Sequence, residues 1–396
     1  NPNRQIESGR LSYLCAAGVV FLTLVECGRQ LKDSNQISPN LMDYLDLVAL
    51  GTVADVAPLT GVNRAFVRQG LKILSNRMRL GLKLLIDKSG INSSPTSYHL
   101  GYILGPKLNA PGRIGPADLA LRLLCSTSPS EANDLCEQIE ELNTQRREIE
   151  NITREQALAQ IDKNQSKNSI IWAASEGWHP GVVGIVASRL KDKFNKPSIV
   201  IGFDGIDGKG SGRSVDGYDL GHAIQRLQRE GLIQQGGGHK MAAGLSLTKD
   251  QLKPAMGRLC ELAEKAKIVN AEAQELSIDG LLFIQAAKID LIEELENCGP
   301  FGAAIREPRF AFCDVSLSFT KRVGDNHLKV RFSDDDGKSM DAICFRAFEG
   351  NLGQELSEHD GKKVHLVGKL DINYWQGKKS TQLILEDAAW PEELSI

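Results

Sequence analysis

The sequence predicts an α/β protein built in several parts, and three observations carry that expectation. Residues 169–203 read strand, helix, strand: "SIIWAAS", "PGVVGIVASRLKDKF" and "PSIVIGF", a βαβ unit. Residues 128–161 read as one helix of about 34 residues, roughly 50 Å long, too long for a small core and suited to a strut between domains. From residue 310 onward short alternating strands follow one another, as in "HLKVRFS", with Leu328, Val330 and Phe332 on one face. A strand-rich stretch of that kind predicts a small closed barrel, with the OB-fold the leading candidate. With 396 residues the chain can hold two or three separate cores.

Taken in order, "LSYLCAAGVVFLTLVECGRQL" (11–31) is apolar nearly all round and predicts a buried helix. "MDYLDLVALGTVADVAPL" (42–59) reads as a helix leading into a buried strand, with a turn at Asp55 and Pro58. "NRAFVRQGLKIL" (63–74) is an amphipathic helix. "GYILGPKLNAPGRIG" (101–115) carries so much Gly and Pro that its end is expected to be a loop. The long helix opens on Ser128, Pro129 and Glu131, a capping box with proline at the first helical position. "YDLGHAIQRLQRE" adds a helix before the run "GGGHKMAAG", and a helical stretch over 249–268 closes that region. The implied division is 1–127, 128–165, 166–272 and 273–396.

Composition is ordinary for a globular protein, 41% hydrophobic and 24% charged. No apolar run approaches the roughly 20 residues of a membrane-spanning helix. The eight cysteines are scattered without a CxxC pair. That argues for reduced thiols, a cytoplasmic location and no zinc site. Asn1 opens the sequence with no leader ahead of it, which predicts a chain cut from something longer. The net charge of −3 is uneven: residues 1–274 sum to +5 and residues 275–396 to −8. A polyanion would therefore bind the first part.

Three stretches within 177–244 have the character of an anion site. "GGGHKMAAG" (236–244) reads as a turn after a helix, where bare Gly236, Gly237 and Gly238 let backbone N–H groups face a cavity and His239 adds a donor. "GWHPGVVGIVASRL" sets Gly177, His179 and Gly181 at the mouth of a helix, where orphan N–H groups attract anions. "GKGSGRS" offers Ser211, Arg213 and Ser214 on a glycine-loosened segment, and arginine suits bidentate phosphate contact. Each alone reads more readily as an ordinary turn; together they favour an anion. Asp55 is either a plain turn aspartate or a ligand for a hard cation such as Mg²⁺ or Mn²⁺. Nothing near it in the sequence supplies the cluster that two-metal hydrolysis needs. Asn109 and Arg113 in "LNAPGRIG" either face a substrate or belong to a structural loop.

In this order, "LVALGTVADVAPL", "LGPKLNAPGRIG", "GWHPGVVGIVASRL", "GSGRS", "GGGHKMAAG" and "CGPFGAAIREPRF", followed by a barrel, resemble the RecJ family of single-strand-specific DNA exonucleases in the DHH phosphoesterase superfamily. The resemblance covers nearly the whole chain. It implies a truncated DHH domain, a long connecting helix, an α/β DHHA1 domain and a C-terminal OB-fold β-barrel. It implies 5′→3′ degradation of single-stranded DNA in repair and recombination, using two Mn²⁺ or Mg²⁺ ions. By resemblance Asp55 becomes a catalytic metal ligand at a strand end. Ser211 and Arg213 hold the terminal phosphate with Arg113 and Asn109, and His179, Gly236, Gly237, Gly238 and His239 line the DNA site. A single-strand-binding protein or a helicase is the implied protein partner.

Two departures stand out. No Asp-His-His triplet occurs, and "NPN" at 1–3 resembles the segment just after it, so this chain alone is expected to be weakly active or inactive. The resemblance also places Gly-Asn-Pro where Ala304, Ile305 and Arg306 stand. Two rival readings remain: a non-catalytic single-strand-binding or replication scaffold, and a DHH-type phosphoesterase for short oligonucleotides, which would end before residues 275–396.

Overall fold

The computed structural model describes residues 9–161, 168–266, 275–359, 361–375 and 377–391. "NPN" and the last two residues of the 249–268 helix lie outside these. The chain divides into two compact units: residues 1–75, 95–100 and 275–396 form the first, and residues 76–94 and 101–274 the second.

The first unit begins with three helices, α1 (Ala16–Asp33), α2 (Leu45–Ala54) and α3 (Gly61–Ser75). Helix α1 is not buried all round: it buries Gly18, Phe21 and Gly28, while Val20, Leu24 and Val25 stand 56%, 46% and 44% exposed. Phe21 meets Phe66 of α3 edge to face at 5.2 Å. The expected strand before Asp55 is absent. Leu45–Ala54 is a helix buried through Leu45, Val48, Ala49 and Leu50, and Asp55 is its exposed C-cap. A short apolar run fits a buried helix as well as a buried strand, and packing against α3 decides it.

The second unit carries α4 (Leu80–Lys88), α5 (Gly105–Ile114), α6 (Leu119–Cys125) and α7 (Pro129–Gln160). The Gly- and Pro-rich stretch expected as a loop is therefore helix α5. Pro106 follows directly on a π-helical turn, His99–Leu104, that runs into α5, and Pro111 is buried inside α5. Helix α7 matches the expected span. Ser128 Oγ accepts from Glu131 N, and the Glu131 carboxylate turns to Ser126 Oγ. The helix packs along its length on α4, α5 and α6 and on α8 (Pro180–Phe194).

Five strands follow: β1 (Ile171–Glu176), β2 (Ser198–Asp204), β3 (Asp207–Arg213), β4 (Gln235–His239) and β5 (Ala242–Thr248). Their order is β1-β2-β3-β5-β4, with β1 and β2 parallel across α8 and the remaining pairs antiparallel. Strand β2 is buried from Ser198 to Phe203 because both faces are covered. Val200 packs with the α8 side chains, while Ile199 and Ile201 pack with α9 (Leu220–Arg229) and α10 (Lys249–Lys265). "GKGSGR" is thus a regular strand, not a loosened segment. Gly208, Gly210 and Gly212 point inward, where a Cβ would lie 2.6–2.8 Å from Phe203, Ile201 and Leu220.

The first unit resumes with β6 (Gly280–Leu281), α11 (Ile289–Cys298), β7 (Phe310–Val323), β8 (His327–Ser333), β9 (Ser339–Cys344), α12 (Leu352–Ser357), β10 (Lys363–Trp375) and β11 (Lys378–Ala389). The order β10-β11-β9-β8-β7 closes through β10–β7, giving a five-stranded barrel around Phe312, Val330, Phe332, Leu366 and Leu383. Residues 297–305 are braced within the same unit. Arg68 donates to Asn297 O at 2.8 Å and to Gly299 O, and Leu59 N donates to Ala303 O at 2.8 Å. Ala304 there takes φ +64°, the left-handed region that suits glycine or asparagine.

Candidate nucleic-acid interface

One face of the second unit's sheet brings several of the expected residues together. Opposed residues in an antiparallel pair point to the same side. Ser211 opposes Gly244, which opposes Gly237; Arg213 opposes Ala242, which opposes His239. These two rows run across β3, β5 and β4 on the side that carries α8. Strands are spaced about 4.8 Å apart, so the shelf from β3 to β4 is about 10 Å wide. Its middle is bare: nothing lies within 4 Å of a Cβ built on Gly237, and Gly244 has only Gly210 O, at 3.9 Å.

The cationic end of this shelf is Arg213. Its Nη1 donates to Ser211 Oγ at 3.0 Å and to Gly212 O at 2.9 Å, which fixes the guanidinium over the row. Helix α5 contributes Arg113, whose Nη1 donates to Gly181 O at 3.0 Å. Among the described residues neither arginine has a carboxylate partner. Burial, and then the charge of Arg113, push the Arg213 guanidinium below its ordinary pKa. Arg146 on α7 is lowered too, first by burial, though Glu150 beside it at 2.8 Å offsets part of this; Arg113 again adds to the lowering. Uncompensated like charges are an electrostatic cost unless an anion joins them. Asn109 lies one turn before Arg113 on the same face of α5 and is exposed.

The glycine run is a strand, not a turn; the turn is Lys240–Met241 between β4 and β5. Gly236 and Gly238 face the α9 side. A Cβ on Gly236 would sit 2.5 Å from Ile224, and one on Gly238 2.5 Å from the Ala243 backbone, with φ +155° there. Only Gly237 and His239 face the shelf. The mouth of α8 is also differently used. His179 is its N-cap, its Nδ1 accepting from Gly181 N at 3.1 Å, and the next two N–H groups go to His179 O. The first-turn donors are thereby occupied, while the His179 Nε2 stays unengaged among the described residues. Ser214 is buried, its hydroxyl donating to Tyr218 O at 2.8 Å. The sequence alone gives Gly244 only a close-packing role and does not single out Gly184; the strand register and the helix face bring both to the site, and the spacing G-x-x-G in "PGVVG" is the signal for Gly184.

Asp55 belongs to the other compact unit and is an exposed helix cap. Among the described residues no group of three or more His, Cys, Asp or Glu could hold a metal ion. One carboxylate does not fit a two-metal centre. No helix among them is long and apolar enough to cross a membrane.

A five-stranded mixed α/β domain with this glycine-lined shelf, together with a closed OB-type barrel, defines the class. Residues 167–265 match the family model of the DHHA1 domain, and residues 278–387 match that of the RecJ OB domain. The single-stranded-DNA-specific exonuclease RecJ of Escherichia coli is 35% identical over 409 residues, covering 99% of this chain and 70% of that protein. Its Bacillus subtilis counterpart is 32% identical, covering 94% of this chain and 47% of that protein. The crystal structure of RecJ with Mn²⁺ from Thermus thermophilus superposes with a TM-score of 0.79 at 28% identity, covering 94% of this chain and 53% of that one. A second Thermus structure contains Mg²⁺. The chain belongs to the RecJ family. It spans about half the length of the Bacillus and Thermus relatives.

Proposed function

We propose that this chain serves single-stranded DNA degradation from the 5′ end, in DNA repair and recombination, and that its shelf grips the 5′-terminal phosphate. The observation that carries this reading is the pair Arg113 and Arg213, two guanidinium groups without carboxylate partners among the described residues, beside Ser211 and a bare glycine row. Arg213 and Arg113 would clamp the phosphate, Ser211 would orient the Arg213 fork, and Gly237 and Gly244 would let the first nucleotide lie against the sheet. His239 and Asn109 would flank it, and His179 would offer its Nε2. These residues bind and orient.

Mn²⁺ or Mg²⁺, present in the Thermus relatives, is the proposed cofactor of the reaction, with Asp55 as a single candidate ligand. The domain division 1–127, 128–165, 166–272 and 273–396, a cytoplasmic location and a single-strand-binding protein or helicase partner belong to the same proposal. The barrel favours the RecJ reading over a short-oligonucleotide phosphoesterase, because residues 278–387 match the RecJ OB domain. The scaffold reading is separated by experiment. Fluorescence anisotropy with one single-stranded oligonucleotide, carrying a 5′-phosphate, a 5′-hydroxyl or a 3′-phosphate, should show tightest binding to the 5′-phosphate. Equal binding to all three would refute the end anchor and leave the scaffold.

A further inference from the structure

We propose that α8 sets the spacing of the phosphate-binding arginines through two bare glycines one turn apart, Gly181 and Gly184. This rests on the end-anchor reading above. The two positions are three residues apart and so share a face of the helix. That face touches both arginine-bearing elements.

At Gly181 the neighbour is α5. A Cβ there would collide with Arg113 O and lie 2.9 Å from the Arg113 carbonyl carbon and 3.1 Å from its Cα. These are backbone atoms, so relief would need α5 itself to move. The Arg113 guanidinium returns to the same residue, donating to Gly181 O at 3.0 Å. Main chain and side chain of Arg113 are therefore both referenced to one glycine. At Gly184 the neighbour is β3. A Cβ there would lie 3.0 Å from Ser211 Oγ, 3.2 Å from Arg213 Nη2 and 3.5 Å from Ser211 Cβ. The Ser211–Arg213 pair thus rests directly on the helix surface.

Helix α8 is well placed to act as this gauge. Val182, Val183, Val186, Ala187 and Leu190 are buried against β2 and α7, so its position is fixed by the core. Neither Arg113 nor Arg213 has a carboxylate partner among the described residues; what holds each is its contact with α8, through Gly181 O for Arg113 and the Gly184 surface for Arg213. Binding groups need placement within about 0.5 Å for full effect. A methyl group at 184 displaces Ser211 Oγ or Arg213 Nη2, the polar tips that would meet the phosphate, by roughly a few tenths of an ångström, a sizeable part of that tolerance. Gly181 and Gly184 are accordingly positioning residues: they touch the arginines' elements, not the DNA.

The test is Gly184→Ala, with Gly257→Ala as control. Gly257 lies within α10 with nothing inside 4 Å of its Cβ, so it reports the helix-propensity gain alone. For the whole 396-residue chain, the ratio of Kd values for 5′-hydroxyl and 5′-phosphate oligonucleotides is measured by anisotropy, beside thermal melts. The ratio is taken on one sample, so a loss of active fraction cancels. G184A should melt no more than a few degrees away from the parent and lose about tenfold of the phosphate preference, on the order of one charged hydrogen bond. G257A should keep the preference. An unchanged ratio in G184A overturns the positioning role and leaves the anchor standing. A parent chain without any 5′-phosphate preference overturns the anchor reading itself, and does so before either variant is made.

Discussion

Replacing Arg213 with alanine separates a phosphate ligand from a structural arginine, because the two roles predict opposite outcomes. Its Nη1 is spent on Ser211 Oγ and Gly212 O, which leaves Nη2 and Nε for an incoming phosphate. Losing a bidentate charged contact of this kind costs about 2–3 kcal/mol, roughly thirty- to 150-fold in Kd. It should also reduce the slope of log K against log salt by about 0.7, the value for one single-strand phosphate contact. Folding should hardly change. The side chain is half-buried with no carboxylate partner among the described residues and lies near Arg113, so its removal relieves like-charge repulsion while it loses some packing. The net effect should stay within about 1 kcal/mol. Arg213→Lys should fall between, keeping the charge and losing the fork. The assays are anisotropy over a salt series and thermal melting. A variant that binds the 5′-phosphate strand like the parent, or one that unfolds, would refute the assignment.

Three further outcomes follow from other parts of the chain. Ala304→Gly should stabilise the first unit by about 0.5 kcal/mol, since relief of the left-handed penalty exceeds the entropy added to the unfolded chain; a lower melting temperature would contradict this. Glu230, held by Arg258 at 2.8 Å and Arg226 at 2.9 Å, has its pKa lowered from 4.5 to about 2. A depressed carboxylate contributes stability present above its unfolded pKa and lost as pH falls through the folded one. Glu230→Gln should therefore be less stable than the parent above pH 4.5 and converge with it toward pH 2; a constant offset in pH-dependent melts would show that charge is not the cause. With no metal cluster among the described residues, melts in EDTA and in Mn²⁺ should superimpose, and a Mn²⁺-dependent rise at micromolar metal would reveal a centre.

The parts of the fold legible in the sequence were those with strong periodicity and little competition. Helix α7 announced itself through Ser128, Pro129 and a long helical pattern, and β1, α8 and β2 through their alternation of length and composition. The barrel showed in Leu328, Val330 and Phe332. Failures came where local chemistry and packing disagreed. Proline and glycine argue for a loop at the end of 101–115, but α7 and α8 hold Gly105–Ile114 as a helix, with Pro111 buried. The apolar run before Asp55 fitted strand and helix alike, and only its contact with α3 decided. Helix α1 reads as buried from its composition, but composition alone does not say how many faces find a neighbour, and Val20, Leu24 and Val25 stay exposed.

The glycines of the candidate site carry the sharper lesson, because a run treated as one motif holds two sets of residues with different jobs. In β3, Gly208, Gly210 and Gly212 make room for Phe203, Ile201 and Leu220, while Lys209, Ser211 and Arg213 point the other way. In β4, Gly236 and Gly238 face α9, and Gly237 faces the open shelf. The strand period of two sorts each run: alternate members answer to the core and the rest to the ligand. A substitution at 236 or 238 should therefore appear first as instability, and one at 237 first as weakened binding. Helix α8 repeats the division at its own period, with Val182, Val183 and Val186 toward the core and Gly181 and Gly184 toward the arginines. The positive charge at the shelf is set by Arg113 and Arg213, but its geometry is set by where side chains are missing.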